Sequence, residues 1–426
     1  MTGVPHYASK RALAAWCLYD WANSAFPTVV ITFVFAAYFT EAVAADRETG
    51  TAMWGSGQTF AALIIAILSP CLGAIADRTG RRKPWIFAFS VVCVAATAGL
   101  WFVRPDPSFA PLALLLVMLG SLGFELGITF YNALLPELVP PKRIGRLSGW
   151  AWGLGYAGGL ACLILSLVVF VQPDPAHFGL DREDAEHVRA VALFAAGWML
   201  VFMLPFFSFV PDLPRRGPSG LQAVQQGLAT LWQTILRVRN FQDIARFLLA
   251  NMIYIDGINT LFSFGGIYAA GQFGMDFQEV LVFGILLNIS AGLGAVSFAW
   301  LDDGIGAKPT ILISLAALIL FGAGILLVRD KAWFYVLGIL IGVFVGPAQA
   351  ASRSLMARLA PAEMRGEFFG LFALSGRLTS FLGPLLVSWV TYLAASQRVG
   401  MAMILPFFIV GAIILMTVDV RRGLRL

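Results

Sequence analysis

Asp20-Trp-Ala-Asn23-Ser24-Ala-Phe26, inside the first hydrophobic segment, returns in mid-chain as Asp256-Gly-Ile-Asn259-Thr260-Leu-Phe262. The order of carboxylate, amide at +3, hydroxyl at +4 and phenylalanine at +6 is kept while the residues between them change. Residues three apart share a helix face, so each copy sets an acid and an amide side by side. An ionised carboxylate within lipid costs roughly 2.5 kcal/mol or more on insertion scales. Two of them at matching points of two halves imply a polar site at a repeat interface, the arrangement of a solute carrier.

Other polar residues extend that chemistry. Glu125 is the strongest proton-carrier candidate, because a desolvated carboxyl can be poised to load and release a proton. Its alternative role is a neutral or paired Glu that locks its helix. Asp20 divides between proton coupling, binding a cationic group and structural pairing. Arg377 can hardly deprotonate and needs a carboxylate, either the substrate's own or that of Glu125 or Asp256. Arg353, nearer a helix end, is expected to snorkel or gate, with substrate binding as the alternative.

These residues need elements that cross a membrane. The 426-residue chain is 59% hydrophobic and 12% charged with mean hydropathy +0.81, whereas soluble domains carry charge at about 25%. Runs of roughly 20 apolar residues, enough to cross the hydrocarbon, lie at 12–40, 54–76, 84–103, 111–135, 147–171 and 190–210. Six more lie at 242–270, 278–300, 309–328, 332–356, 367–395 and 401–420. In lipid these must be helices, since no barrel-type alternation is present. The expected fold is an all-α membrane protein with twelve transmembrane helices in two six-helix pseudo-symmetric bundles, 1–210 and 242–426. The linker 211–241 opens with Pro211, Pro214, Gly217 and Pro218, then repeats Leu221, Val224, Leu228, Leu231, Ile235 and Val238 at helical spacing. It reads as an amphipathic helix on the membrane surface. At 1.5 Å per residue, Asp20 lies roughly 10 Å into its span, and Glu125, Asp256 and Arg377 roughly 15 Å into theirs.

With the N-terminus inside, the cytoplasmic segments hold 20 lysines and arginines and the external ones 7, which sets both termini in the cytoplasm. The net charge of +5 follows this loop alternation, not a nucleic-acid surface. The loop 172–189 is external and acidic, which keeps that face soluble. Cys17, Cys71, Cys93 and Cys162 sit in apolar runs without ligand spacing, and His6, His177 and His187 fall in termini or loops. No metal site, Ser–His or Cys–His pair, or phosphate-cradling glycine loop is visible, so an enzyme and an ATP-driven pump are both unsupported. A sensor would be expected to carry a soluble signalling domain.

A two-fold repeat runs beyond the aspartates. Asp77-Arg78-Thr79-Gly80-Arg81-Arg82-Lys83-Pro84 is echoed by Asp303-Gly304-Ile305-Gly306-Ala307-Lys308-Pro309. Pro140, Gly145, Gly149 and Gly155 recur at one offset as Pro361, Gly366, Gly370 and Gly376. Even numbers of spans between copies make the repeats parallel. The stretch from Gly73 to Lys83 resembles the loop signature of the major facilitator superfamily. Tyr19-Asp20-Trp21-Ala22-Asn23-Ser24-Ala25-Phe26, with Phe130-Tyr131-Asn132-Ala133-Leu134-Leu135-Pro136-Glu137, resembles its vacuole-effluxer (autophagy-related) branch and bacterial relatives.

The resemblance implies a secondary active carrier working by alternating access, with a small organic substrate, amino acids being the family expectation. Asp20, Asn23, Glu125, Asn132, Asp256, Asn259 and Arg377 are the expected substrate or proton-coupling residues. Asp77, Arg78, Arg81, Arg82 and Asp303 form the expected cytoplasmic gate, bracing helices in one state and releasing them in the other. In the second copy Gly304 and Ala307 replace Arg78 and Arg81, which predicts a weaker gate there. The expected setting is a monomer in a bacterial inner membrane, driven by a proton or other ion gradient without a cofactor. A sugar or drug exporter of the same fold is the nearest alternative, and a non-transporting sensor a more distant one.

Overall fold

Hydrocarbon offers no water to peptide groups, so each crossing segment must satisfy its own backbone. The computed structural model describes residues 7–214, 221–236 and 241–420, and among these every regular element is helical. Twelve helices among them are long and apolar enough to cross a membrane. In chain order, spans one to six are Lys10–Val43, Arg47–Thr79, Lys83–Phe102, Pro107–Leu138, Pro141–Val171 and Glu186–Phe209. Spans seven to twelve are Gln242–Phe273, Gln278–Ile305, Ala307–Leu327, Lys331–Leu359, Ala362–Ala394 and Gln397–Met416. Each segment expected from hydropathy overlaps one of them.

Between the sixes a helix spans Leu221–Leu236. It buries Gly227, Leu231 and Thr234 and exposes Leu228 and Trp232. Gly227 is there because span two runs close by: an added Cβ would lie 2.9 Å from the Ile75 backbone. Gly217, Pro218 and Val238 of the expected linker lie outside the described residues.

Spans one and eleven are irregular beside a proline. Span one is α-helical over Lys10–Asn23, and Ser9 caps it through a bond from the Ala12 N–H to Oγ. It then changes to a π-helical stretch over Phe26–Phe33. Pro27 has no N–H and its ring crowds the carbonyl four residues back, so the bonding ladder must shift register. Such π segments are frequent at functional sites. Span eleven is cut in two, Arg365–Arg377 and Leu382–Ala394. Pro384 lies in the first turn of the second piece, where a missing N–H costs least, and the chain turns over 378–381 before it.

Contacts divide the chain into two compact units interleaved along the sequence. The first holds Met1–Leu68, Gly80–Tyr131 and Leu154–Arg215; the second holds Ser69–Thr79, Asn132–Gly153 and Arg216–Leu426. Spans seven to twelve therefore share a unit with one end each of spans two, four and five. Small residues set the packing inside the second unit. A Cβ on Gly294 would fall 2.0 Å from the Val343 carbonyl oxygen, and one on Gly346 would fall 1.9 Å from that of Ala291, so spans eight and ten touch backbone to backbone.

Candidate functional site

In the first unit the polar group centres on the last turn of the helix Lys10–Asn23. Asp20 and Asn23 are both buried there, and the Asn23 Nδ2 has no hydrogen-bond partner. Span five closes over this turn through glycines: a Cβ on Gly155 would meet the Ser24 hydroxyl at 2.9 Å, and one on Gly158 the Trp21 carbonyl oxygen at 2.3 Å. An aromatic stack holds the turn before it. The Trp16 and Tyr131 rings are 4.3 Å apart, Tyr19 and Tyr131 are 4.8 Å apart, and the Tyr131 hydroxyl donates to the Trp16 carbonyl at 2.9 Å. Tyr19 bonds Ser90 on span three at 2.9 Å. Glu125, half-buried on span four, belongs to the same unit.

In the second unit the same motif lies in an unbroken helix, Gln242–Phe273, and its polar side holds broken span eleven. Asp256 is 2% exposed; its Oδ2 accepts the Gly383 N–H at 3.2 Å, while its Oδ1 is buried without a partner. Thr260 spends its hydroxyl hydrogen on the Asp256 carbonyl at 2.7 Å and packs directly on Gly383, where no Cβ would fit. One turn earlier, Asn251 donates to Ser375 at 3.0 Å and Thr379 donates to the Met252 carbonyl at 3.4 Å. Helix dipoles account for where the charges sit. The carboxylate faces the positive N-terminus of Leu382–Ala394, and Arg377 ends Arg365–Arg377 at its negative C-terminus. Arg377 is exposed and Asn259 half-buried.

Two further carboxylates act on helix starts, both within the second unit. Asp77, ending span two, accepts the N–H groups of Gly366 and Glu367 at 2.8 Å each. Asp303, ending span eight, accepts those of Gly145 and Arg146 at 2.8 and 3.2 Å. Each satisfies two of the donors a helix N-terminus leaves over and meets its positive pole. Gly366 is required at the first of these joints, since the Gly73 carbonyl oxygen lies 2.6 Å from where its Cβ would be. The loop after span eight carries Gly304 and Ala307 where the first has Arg78 and Arg81, yet its acid is not without cations. Asp303 draws cations from other helices: Arg146 Nε at 2.8 Å and Arg358 at 3.3 Å, with Arg358 also 2.7 Å from Asp302.

The basic loop after span two splits its duties. Arg78 bonds Thr230 of the linker helix. In the first unit Arg81 pairs with Asp212 at 3.1 Å, and Asp212 also accepts the Arg82 N–H at 3.0 Å. Asn132 accepts from Arg353 at 3.2 Å. Arg353 is 2% exposed and also donates to the Ser148 hydroxyl and carbonyl at 3.0 and 2.7 Å, so it pins span ten to the ends of spans four and five and does not snorkel. Sequence reasoning missed Asp212, Ser148, Arg146, Arg358, and the Glu137–Arg365 ion pair. A signal for some of them existed: at the offset relating Gly145 to Gly366, Glu137 and Arg146 map onto Arg358 and Glu367, with the charges reversed.

Known proteins share this chain's pattern. The model of the family described as "Vacuole effluxer Atg22 like" matches residues 52–425. The chain is 28% identical over 406 residues to YxiO of Bacillus subtilis, described as an uncharacterised MFS-type transporter, covering 94% of this chain and 93% of that one. It is 24% identical to autophagy-related protein 22 of Kluyveromyces lactis, covering 81% and 74%. The crystal structure of the human organic anion transporter MFSD10 (TETRAN) superposes with a TM-score of 0.74 over 95% of this chain and 99% of that one, at 15% identity, a likeness of fold. The chain thus belongs to the vacuole effluxer Atg22-like family, a branch of the major facilitator superfamily of membrane transporters, which are not enzymes.

Proposed function

We propose that this transporter is a secondary active carrier working by alternating access, coupled to protons, and that it moves a small polar organic solute such as an amino acid. The observation that carries the reading is Asp256: a buried carboxylate with one oxygen on the broken span and the other without a partner. A broken span beside such a group is where carriers of other folds bind solute and coupling ion. An acidic pair and an arginine suit a zwitterion, its ammonium on Asp20 or Asp256 and its carboxylate on Arg377. Glu125 carries the proton. Asp77 and Asp303 supply the alternation, since carboxylate-to-amide bonds hold one end of the spans shut and are replaced by water when it opens. That end and both termini face the cytoplasm, in a bacterial cytoplasmic membrane, and the chain works as a monomer without a cofactor.

Uptake into proteoliposomes, with candidate solutes and with or without a proton gradient, tests this directly. Solute accumulation that follows the gradient is expected. Glu125→Gln should still bind solute but lose the response to the gradient; unchanged proton dependence in that variant removes Glu125 from coupling.

A further inference from the structure

The two helix-start latches differ at one repeat position. Arg146 neutralises its latch by pairing with Asp303, whereas its counterpart Glu367 brings a second carboxyl to the latch of Asp77. Glu367 is 1% exposed, and its Oε1 is buried with no hydrogen-bond partner. The groups facing it are Thr234 on the linker helix and Asp77 and Arg78 on span two. Arg78 is bonded to Thr230, and Arg365, at the start of Glu367's own helix, is paired with Glu137. An ionised Glu367 would suffer desolvation first and repulsion from Asp77 besides, which the Thr234 hydroxyl and the Arg78 charge offset only in part. Once the latch parts, water solvates the carboxylate and both costs vanish.

We infer that Glu367 is a proton-binding site: the Asp77 latch closes with a proton on Glu367 and releases it to water on opening. The sign follows from linkage. The closed state holds one more proton, so raising the pH on that face favours opening, by up to about tenfold per pH unit. At the Asp303 latch the two carboxyls, Asp302 and Asp303, meet two arginines, Arg358 at 2.7 Å and Arg146 at 2.8 Å, so a weaker response is expected there. The inference rests on the alternating-access reading, but its readout needs no transported solute, so its failure and a failure of uptake are separate results.

Hydrogen exchange on the full-length protein in lipid nanodiscs provides the test, with intrinsic rates corrected at each pH. Protection of the Gly366 and Glu367 amides should fall relative to that of Gly145 and Arg146 as the pH rises. Glu367→Gln should abolish this difference and keep the first pair protected throughout. Glu367→Asp, which still titrates, should restore a pH response with a shifted midpoint. An equal response at both latches in the native chain overturns the proposal, as does an undiminished response in Glu367→Gln.

Discussion

Asp20-Trp-Ala-Asn23-Ser24 and Asp256-Gly-Ile-Asn259-Thr260 are one motif held in two ways. In span one the motif ends an α-helix, and its own chain is irregular from Phe26 to Phe33. In span seven the helix carrying it is unbroken, and the irregular backbone is supplied by span eleven opposite. Glycines close both sites, Gly155 and Gly158 over the first copy and Gly383 against the second. The comparison teaches that the repeat preserves a buried acid beside loosened backbone without preserving which segment is loosened. Loosened backbone exposes peptide dipoles that a regular helix has already spent, and those dipoles can answer a charge.

Substitutions can break or sharpen this comparison. The largest effect is expected from Asp256→Ala, which removes both a charge and the acceptor of the Gly383 N–H. Solute uptake should fall by about a hundredfold or more, near 2.7 kcal/mol of lost transition-state stabilisation. Thermal unfolding should also report a loss of about 1 kcal/mol, the worth of a helix cap. Wild-type uptake in a stable Asp256→Ala protein would remove the second copy from the mechanism. Next comes Arg377→Lys, which keeps charge but loses the planar fork. Affinity for a carboxylated solute should weaken by about tenfold, or 1.4 kcal/mol, measured by titration calorimetry; unaltered affinity takes Arg377 out of the site.

Smaller effects separate backbone from side chain. Pro27→Ala allows span one to regain a regular ladder. The melting temperature should hold or rise while uptake drops a few-fold, the trade expected where function uses a locally less regular backbone. A variant with equal stability and equal uptake would make the π stretch a packing accident. Smallest in stability is Asn23→Ala. The Asn23 Nδ2 has no partner, and a buried donor left unmade is itself a cost, so the melting temperature should change little. A fall in solute affinity at constant stability would assign Asn23 to binding, and unchanged affinity would assign it to packing.

Much of this was legible in one dimension. The twelve spans follow from hydropathy, and the linker helix follows from the spacing of Leu221, Val224, Leu228 and Leu231. Asp77 stood out because charge at a span end is readable from its loop. The break in span eleven had a local signal, Gly383-Pro384, inside a segment whose apolarity concealed it. The partners of Asp303 had none nearby: Arg146 and Arg358 come from distant stretches, and the degraded loop after span eight gave no hint of them. Glu367 reads in sequence as an ordinary first-turn acid, and only its burial beside Asp77 makes it unusual.

The amino-acid sequence alone determined that the chain crosses lipid twelve times as helices and that two halves carry matching acids, because hydrocarbon forces each segment to satisfy its own backbone. Tertiary structure decided which carboxylate meets which helix start, and which acid is left with an empty oxygen. Those outcomes depend on the contact of segments far apart in the chain, where a charge is worth little in water and a great deal once the water has gone.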